Sequence, residues 1–256
     1  MRILLSNDDG YFSEGLLKLA LALAPDHDVH VSAPDSEKSG AGHALTFGEG
    51  IVWKRVSENE LEVCGEKIAI PCHSVQGSPA DAVKFAIEHI YAGEPFDLVI
   101  SGINTVINVG SDVIYSGTFG AAEEGTILGV PSIALSARVS EGGYDAAIDF
   151  IVANLDALYK LIPPMVTLNV NVPFGDKERL EGVAVAPLGI RRYKDWYEEH
   201  RDGRFRLNGY PFDCSENPED DDCKMSDRGY ITITPVKIPD TDCATMEKLR
   251  RVEWKL

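Results

Sequence analysis

The chain has 256 residues, 44% hydrophobic and 25% charged, a length and composition suited to one large α/β domain or one domain plus an appendage around a proper core. Forty-one acidic residues against 24 basic ones give a formal net charge of −17, which argues against unassisted binding to nucleic acid polymers or to an anionic membrane. Five cysteines (Cys64, Cys72, Cys214, Cys223 and Cys243) contain no Cys-x-x-Cys pair, which argues against a disulfide framework or zinc knuckle and for a reducing cytoplasm.

The amino terminus opens on a buried strand pattern, Arg2–Ser6, rather than on a signal peptide, and no apolar run approaches the roughly 20 residues that span a bilayer. Leu16, Leu19, Ala20 and Leu23 recur at helical spacing before Pro25, and Val29–Ala33 reads as a second strand. Residues 79–91 predict the clearest helix, with Ser78 as cap, Pro79 at the first position and Asp81 at the positive end of the dipole. Short buried strands follow at Leu98–Ser101 and Pro131–Leu135. A long helix is expected from about Asp145 to Leu161, ended by Pro163-Pro164, and then a strand near Val166–Val170. Strands alternating with helices predict a mostly parallel sheet covered on both faces.

From about Gly189 the texture changes. Residues 189–228 are rich in charge, aromatics, Gly and Pro, and Glu219-Asp220-Asp221-Asp222 is expected to be a solvated loop, since it lacks the alternating spacing of a calcium loop. A strand resumes at Ile231–Thr234. The chain therefore divides into residues 1–188, an α/β domain, and residues 189–256, an irregular carboxyl-terminal appendage with a hairpin or strand and the acidic loop, expected to close on the core and suited to oligomerisation.

The chemistry-bearing feature is Ser6-Asn7-Asp8-Asp9-Gly10 at the end of the first strand. Asn, Asp and Gly also make ordinary turns, but two adjacent carboxylates repel unless a cation joins them, and hard divalent cations prefer such oxygens. Three more polar, glycine-rich segments stand where strands should end: Ser36–His43, Ser101–Asn104 and Tyr115–Ala122. Their Ser and Asn oxygens can complete a metal shell, and Ser116-Gly117-Thr118 at a helix start can cradle phosphate. His43 offers a general acid, and Lys38 is the cation adjacent to these loops. No phosphate-binding P-loop, dinucleotide fingerprint, nucleophile elbow or His-Glu-x-x-His is present.

Several segments together resemble the SurE family, the survival-protein-E nucleotidases. They are Ser6–Gly10, Ala33-Pro34-Asp35 with Ser39-Gly40, Gly77–Asp81, Ser101–Asn104 with Asn108 and Gly110, Tyr115–Thr118 and Gly129–Ser132. The resemblance implies a Rossmann-like three-layer α/β/α fold and a carboxyl-terminal portion exchanged within a homodimer or homotetramer. It implies a metal-dependent phosphatase acting on nucleoside 5'- and 3'-monophosphates, and on short polyphosphate. It carries one Mg²⁺ or Mn²⁺ per subunit onto Asp8, Asp9, Ser39 and Asn104, and phosphate contacts onto Asn108, Ser116, Gly117 and Thr118. The attacking group is metal-activated water or a carboxylate of the Asp8–Asp9 pair. Val106 stands where the family usually has Gly, so a differently shaped loop is expected between Asn104 and Asn108. Two readings from other classes are a phosphoryl-receiving signalling module and an inactive metal-dependent nucleotide-binding protein.

Overall fold

In the computed structural model the described residues are 1–237, apart from 49, 57–60 and 201, together with Cys243, Met246 and Arg250. Most of the end of the 189–256 extension thus lies outside the described residues. The elements in chain order are β1 (Arg2–Ser6), α1 (Glu14–Leu23), β2 (Asp28–Pro34), β3 (Val52–Arg55), β4 (Glu62–Val63), β5 (Glu66–Lys67) and β6 (Cys72–Gln76). Next come α2 (Pro79–Phe85), β7 (Leu98–Asn104), α3 (Gly117–Ile127), β8 (Ser132–Ala137), α4 (Asp145–Leu161) and β9 (Val166–Val172). The chain continues through β10 (Gly182–Val185), β11 (Arg192–Glu199), β12 (Phe205–Asp213), α5 (Asp222–Asp227) and β13 (Tyr230–Lys237).

Nine strands form one sheet in the order β10-β13-β9-β8-β7-β1-β2-β6-β3. The six central strands from β9 to β6 run parallel, while β13 against β9 and β3 against β6 are antiparallel. Adjacent residues of a strand face opposite sides. Ile3 and Leu5 accordingly pack with Leu16, Leu19 and Leu23 of α1 and Ile151 and Leu155 of α4, whereas Leu4 joins Val83 of α2 and Ala121 of α3. Each such side chain, buried completely, contributes about 1.5–3 kcal/mol by leaving water. The result is the expected α/β fold with helices on both faces of a mostly parallel sheet.

The strand order reverses at β1, with β2 on one side and β7 on the other, and Ser6 lies level with Ser101. In open α/β sheets the crevice beyond the carboxyl ends of strands at such a reversal is where ligands bind. Asp8 and Asp9 follow β1, and Asn104 ends β7.

Two local expectations need correction. The helix expected over 79–91 is capped as foreseen, by reciprocal Ser78 and Asp81 bonds of 2.9 and 2.8 Å, but it is α-helical only to Phe85 and continues as one π turn over Ala86–Ile90. The extension holds the antiparallel hairpin β11–β12, and β13 pairs with β9 and β10 in the central sheet. The acidic run is a solvated loop only in its first half: Glu219 and Asp220 are exposed, and the next two residues are not. Asp221 and Asp222 are fully buried because backbone N–H groups need acceptors there: Asp221 caps α5 at the Lys224 N–H (2.8 Å), and Asp222 accepts from Gly110 and Gly189, both at 2.8 Å.

Candidate active site

The turn after β1 is built by Asn7 and Gly10, which leaves the two carboxylates between them for other work. The Asn7 amide donates to Gly10 O (3.1 Å) and Ser13 Oγ (2.5 Å), while its Oδ1 accepts from the Gly10 N–H (3.1 Å). Asp8 is buried at 6% exposure, and its Oδ1 accepts from Thr118 Oγ1 at 2.5 Å. Burial pushes the Asp8 carboxyl above its usual range, against the opposing pull of the Thr118 hydroxyl and backbone N–H at the start of α3. Asp9 is half-buried and is pushed up to about 6, first by burial and then by the charges of Asp8 and Glu37.

A cleft of about 1060 Å³ opens here, and Asp8, Ser39, Asn104, Asn108 and Ser116 all line it. Ser39 comes from the exposed loop after β2 and donates its hydroxyl to Glu37 (2.5 Å). The Asn104 amide nitrogen donates to Val106 O (2.7 Å), which leaves Oδ1 for a partner in the cleft. Carboxylate, hydroxyl and amide carbonyl oxygens are the donor set of a hard divalent cation, and a cation beside Asp8 and Asp9 would reverse the electrostatic rise of both carboxyls. The residues therefore fit a magnesium- or manganese-type ion.

Asn108 is fixed on every side. Its side chain donates to Ser116 Oγ (2.8 Å) and Ser136 Oγ (3.2 Å), and its backbone N–H donates to Asn171 Oδ1 (2.7 Å). Its carbonyl accepts from Asn169 (2.8 Å) and Asn171 (3.2 Å). Ser116 caps α3 by accepting from the Phe119 N–H (3.0 Å). Gly117 and Thr118 are packed against Asp8 and are not part of the cleft lining. A Cβ on Gly117 would come 2.8 Å from Asp8 Cβ and 3.0 Å from its Oδ2, so only glycine lets α3 approach so closely. Asp9 also lies outside the lining.

Val106 does not have a left-handed backbone: the described non-glycine residues with positive φ are Cys64 and Met165. The loop takes the β-branched residue without that strain, and its side chain, 59% exposed, faces the cleft mouth. His43 is not placed as a general acid, because its Nδ1 and Nε2 both face carboxylates, Glu123 at 2.6 Å and Glu124 at 2.7 Å. Lys38 sits 3.8 Å from Asp35.

Sequence reasoning did not single out Asn169, Asn171, Arg191, Tyr193 or Asp112 as parts of the site. Asn169 and Asn171 stand two apart on a strand buried from Thr167 to Val172, a polar pair where an apolar face is the rule, and that was a readable signal. Arg191 lines the cleft with Arg138 and pairs with Asp112 at 2.9 Å, as does the Tyr193 hydroxyl. The Ser111 hydroxyl and the Arg191 backbone exchange two further bonds, of 2.7 and 3.1 Å. The base of the β11–β12 hairpin is thereby tied to the loop after Asn108.

Residues 3–195 match the family model described as Survival protein SurE. Over 262 residues the chain is 40% identical to a protein of Pseudothermotoga lettingae named 5'-nucleotidase SurE, covering 99% of this chain and 95% of that one. It is 39% identical to the protein of the same name from Symbiobacterium thermophilum, with 99% and 98% covered. The crystal structure of the SurE protein from Aquifex aeolicus superimposes with a TM-score of 0.80 at 33% identity, covering 98% of each chain. With the family model spanning most of the chain and named relatives matching nearly its whole length, the chain belongs to the SurE family.

Proposed function

We propose that this chain is a metal-dependent phosphomonoesterase that converts nucleoside 5'-monophosphates to nucleoside and inorganic phosphate, with 3'-monophosphates and short polyphosphate as further substrates. The observation that carries this reading is the meeting of Asp8, Ser39 and Asn104 on one cleft at the start of α3. The chain's likeness to proteins named 5'-nucleotidase supports the same reading. Asp8, Asp9, Ser39 and Asn104 would hold one Mg²⁺ or Mn²⁺. Bound there, a divalent cation supplies charge neutralisation at the phosphoryl oxygens.

The chain's own residues do the rest. Thr118 holds the Asp8 carboxylate in one orientation through its hydroxyl and backbone N–H. Asn108 and Ser116, locked to each other at 2.8 Å, present a rigid polar wall to the phosphoryl group, and the positive end of α3 favours its charge. Arg138 and Arg191 bring guanidinium groups to the cleft wall, where Asp112 already holds Arg191, so an anionic substrate relies on the cation for most of its charge balance in a protein of net −17. The ester P–O bond breaks as a new P–O bond forms to water, directly or by way of a carboxylate of the Asp8–Asp9 pair. The leaving nucleoside oxygen takes a proton.

Exposed Trp196, Tyr197, Leu207 and Phe212 on the hairpin support assembly as a homodimer or homotetramer. The odd count of five cysteines without a Cys-x-x-Cys pair supports a reducing cytoplasm, and no described helix is long and apolar enough to cross a membrane.

The test is phosphate release from AMP by purified protein whose mass is checked by light scattering. Release with Mg²⁺ or Mn²⁺, none in EDTA, and a particle of two or four chains are expected. Metal-independent release, or none from any nucleoside monophosphate, would overturn the reading.

A further inference from the structure

We infer that His43 is a positioning residue that clamps the Ser39 loop onto α3 and so sets the affinity of the proposed cation site. The inference rests on the ligand set Asp8, Asp9, Ser39 and Asn104. Ser39 is exposed, and the partner of its side chain, Glu37, belongs to the same loop. Its position therefore depends on where that loop is anchored. Lys38 N–H donates to Asp8 O (2.7 Å), and Gly42 N–H donates to Tyr115 O (3.1 Å). The loop then lies directly on α3, where a Cβ on Gly120 would come 2.5 Å from Gly42 O.

His43 closes this contact. Nδ1 lies 2.6 Å from Glu123 Oε2 and Nε2 lies 2.7 Å from Glu124 Oε2. A neutral imidazole has one N–H and can serve one carboxylate, so serving both requires the imidazolium. The two carboxylates hold that proton, pushing the His43 pKa up to about 9. Glu124, 3% exposed in its side chain, also accepts from Lys84 Nζ at 2.7 Å. The alternating charges Lys84, Glu124, His43 and Glu123 therefore join α2, α3 and the loop. The helix that receives this clamp is the one whose first turn holds Asp8. Without His43, Glu124 keeps Lys84, Glu123 loses its imidazolium partner, and the loop loses its tie to both.

The experiment is calorimetric titration of Mn²⁺ into metal-stripped protein, with circular dichroism and melting temperature as controls. His43→Ala is expected to raise the Mn²⁺ Kd about tenfold or more, in the range seen when a supporting partner of a metal ligand is lost, and His43→Gln to give a smaller rise. Should His43→Ala not fold, Glu123→Gln carries the same test. A merely structural role would lower the melting temperature and leave the Mn²⁺ Kd within twofold. That result, alongside an Asp8→Asn protein that no longer binds Mn²⁺, would overturn the inference and leave the cation site standing. Mn²⁺ binding that survives Asp8→Asn would overturn the ligand set and the inference with it.

Discussion

Asp8→Asn is expected to slow phosphate release from a nucleoside monophosphate by about a thousandfold or more, a loss of about 4 kcal/mol of transition-state stabilisation. The substitution isolates charge from shape. An Asn amide has the outline of the carboxylate, and its oxygen can still accept from Thr118, whose hydroxyl holds Asp8 at 2.5 Å. The negative charge is lost, and with it the strongest attraction Asp8 offers a divalent ion. Since Asp8 is buried at 6% exposure, water cannot readily substitute for the missing ligand. Steady-state kinetics in saturating Mg²⁺ or Mn²⁺ check this. A variant that runs at the rate of the unaltered protein would remove Asp8 from the reaction.

Asp222→Ala has its largest effect on stability. The Asp222 carboxylate is fully buried and accepts one bond from Gly110 N–H and one from Gly189 N–H, each of 2.8 Å. Truncation leaves two buried donors unpaired, which costs about 3 kcal/mol, or roughly 6–12 °C in Tm for a chain of this size. Gly110 is two residues from Asn108, and Gly189 begins the approach to the hairpin, so the same change loosens the substrate-facing loop and is expected to raise KM. Glu219 is the control: it belongs to the same acidic run and pairs with Lys224 and Arg228 on the surface, and Glu219→Ala is expected to leave the Tm almost unchanged. Equal melting temperatures for Asp222→Ala and the unaltered protein would show that the bonds of Asp222 do not matter to the fold.

The contrast between those two acidic residues shows where reading from sequence succeeds. The strand Arg2–Ser6 and the helix Asp145–Leu161 have the expected bounds, because apolar periodicity and the Pro163-Pro164 stop are local signals. The parallel sheet follows from alternation alone. Strand β7 runs three residues past the expected Ser101, to Asn104, since a polar residue can end a buried strand when a cleft opens there. The bounds of β11 and β12 within the extension could not be read: β11 is exposed along its whole length, so it has no inside–outside alternation to mark them.

Partnership across the chain is what sequence conceals. Asp221 and Asp222 look like solvated charge until Gly110 and Gly189 are brought beside them. Thr118 looks like a free helix-start hydroxyl until β1 sets Asp8 against it. At the site, residue types at strand ends pointed to Asp8, Ser39, Asn104 and Ser116, the family resemblance added Asn108, and the five share one cleft. The pairing of Arg191 and Tyr193 with Asp112 depends on a hairpin that begins about 80 residues later, a closure no short-range pattern encodes.

The most direct measurement is anomalous X-ray scattering from crystals grown with Mn²⁺. One strong peak is expected per chain, about 2.0–2.4 Å from oxygens of Asp8, Asp9, Ser39 and Asn104, the range of hard-cation contacts. A peak elsewhere, for instance at the buried Asp221, Asp222 and Cys223 group, with none at Asp8, would contradict the account.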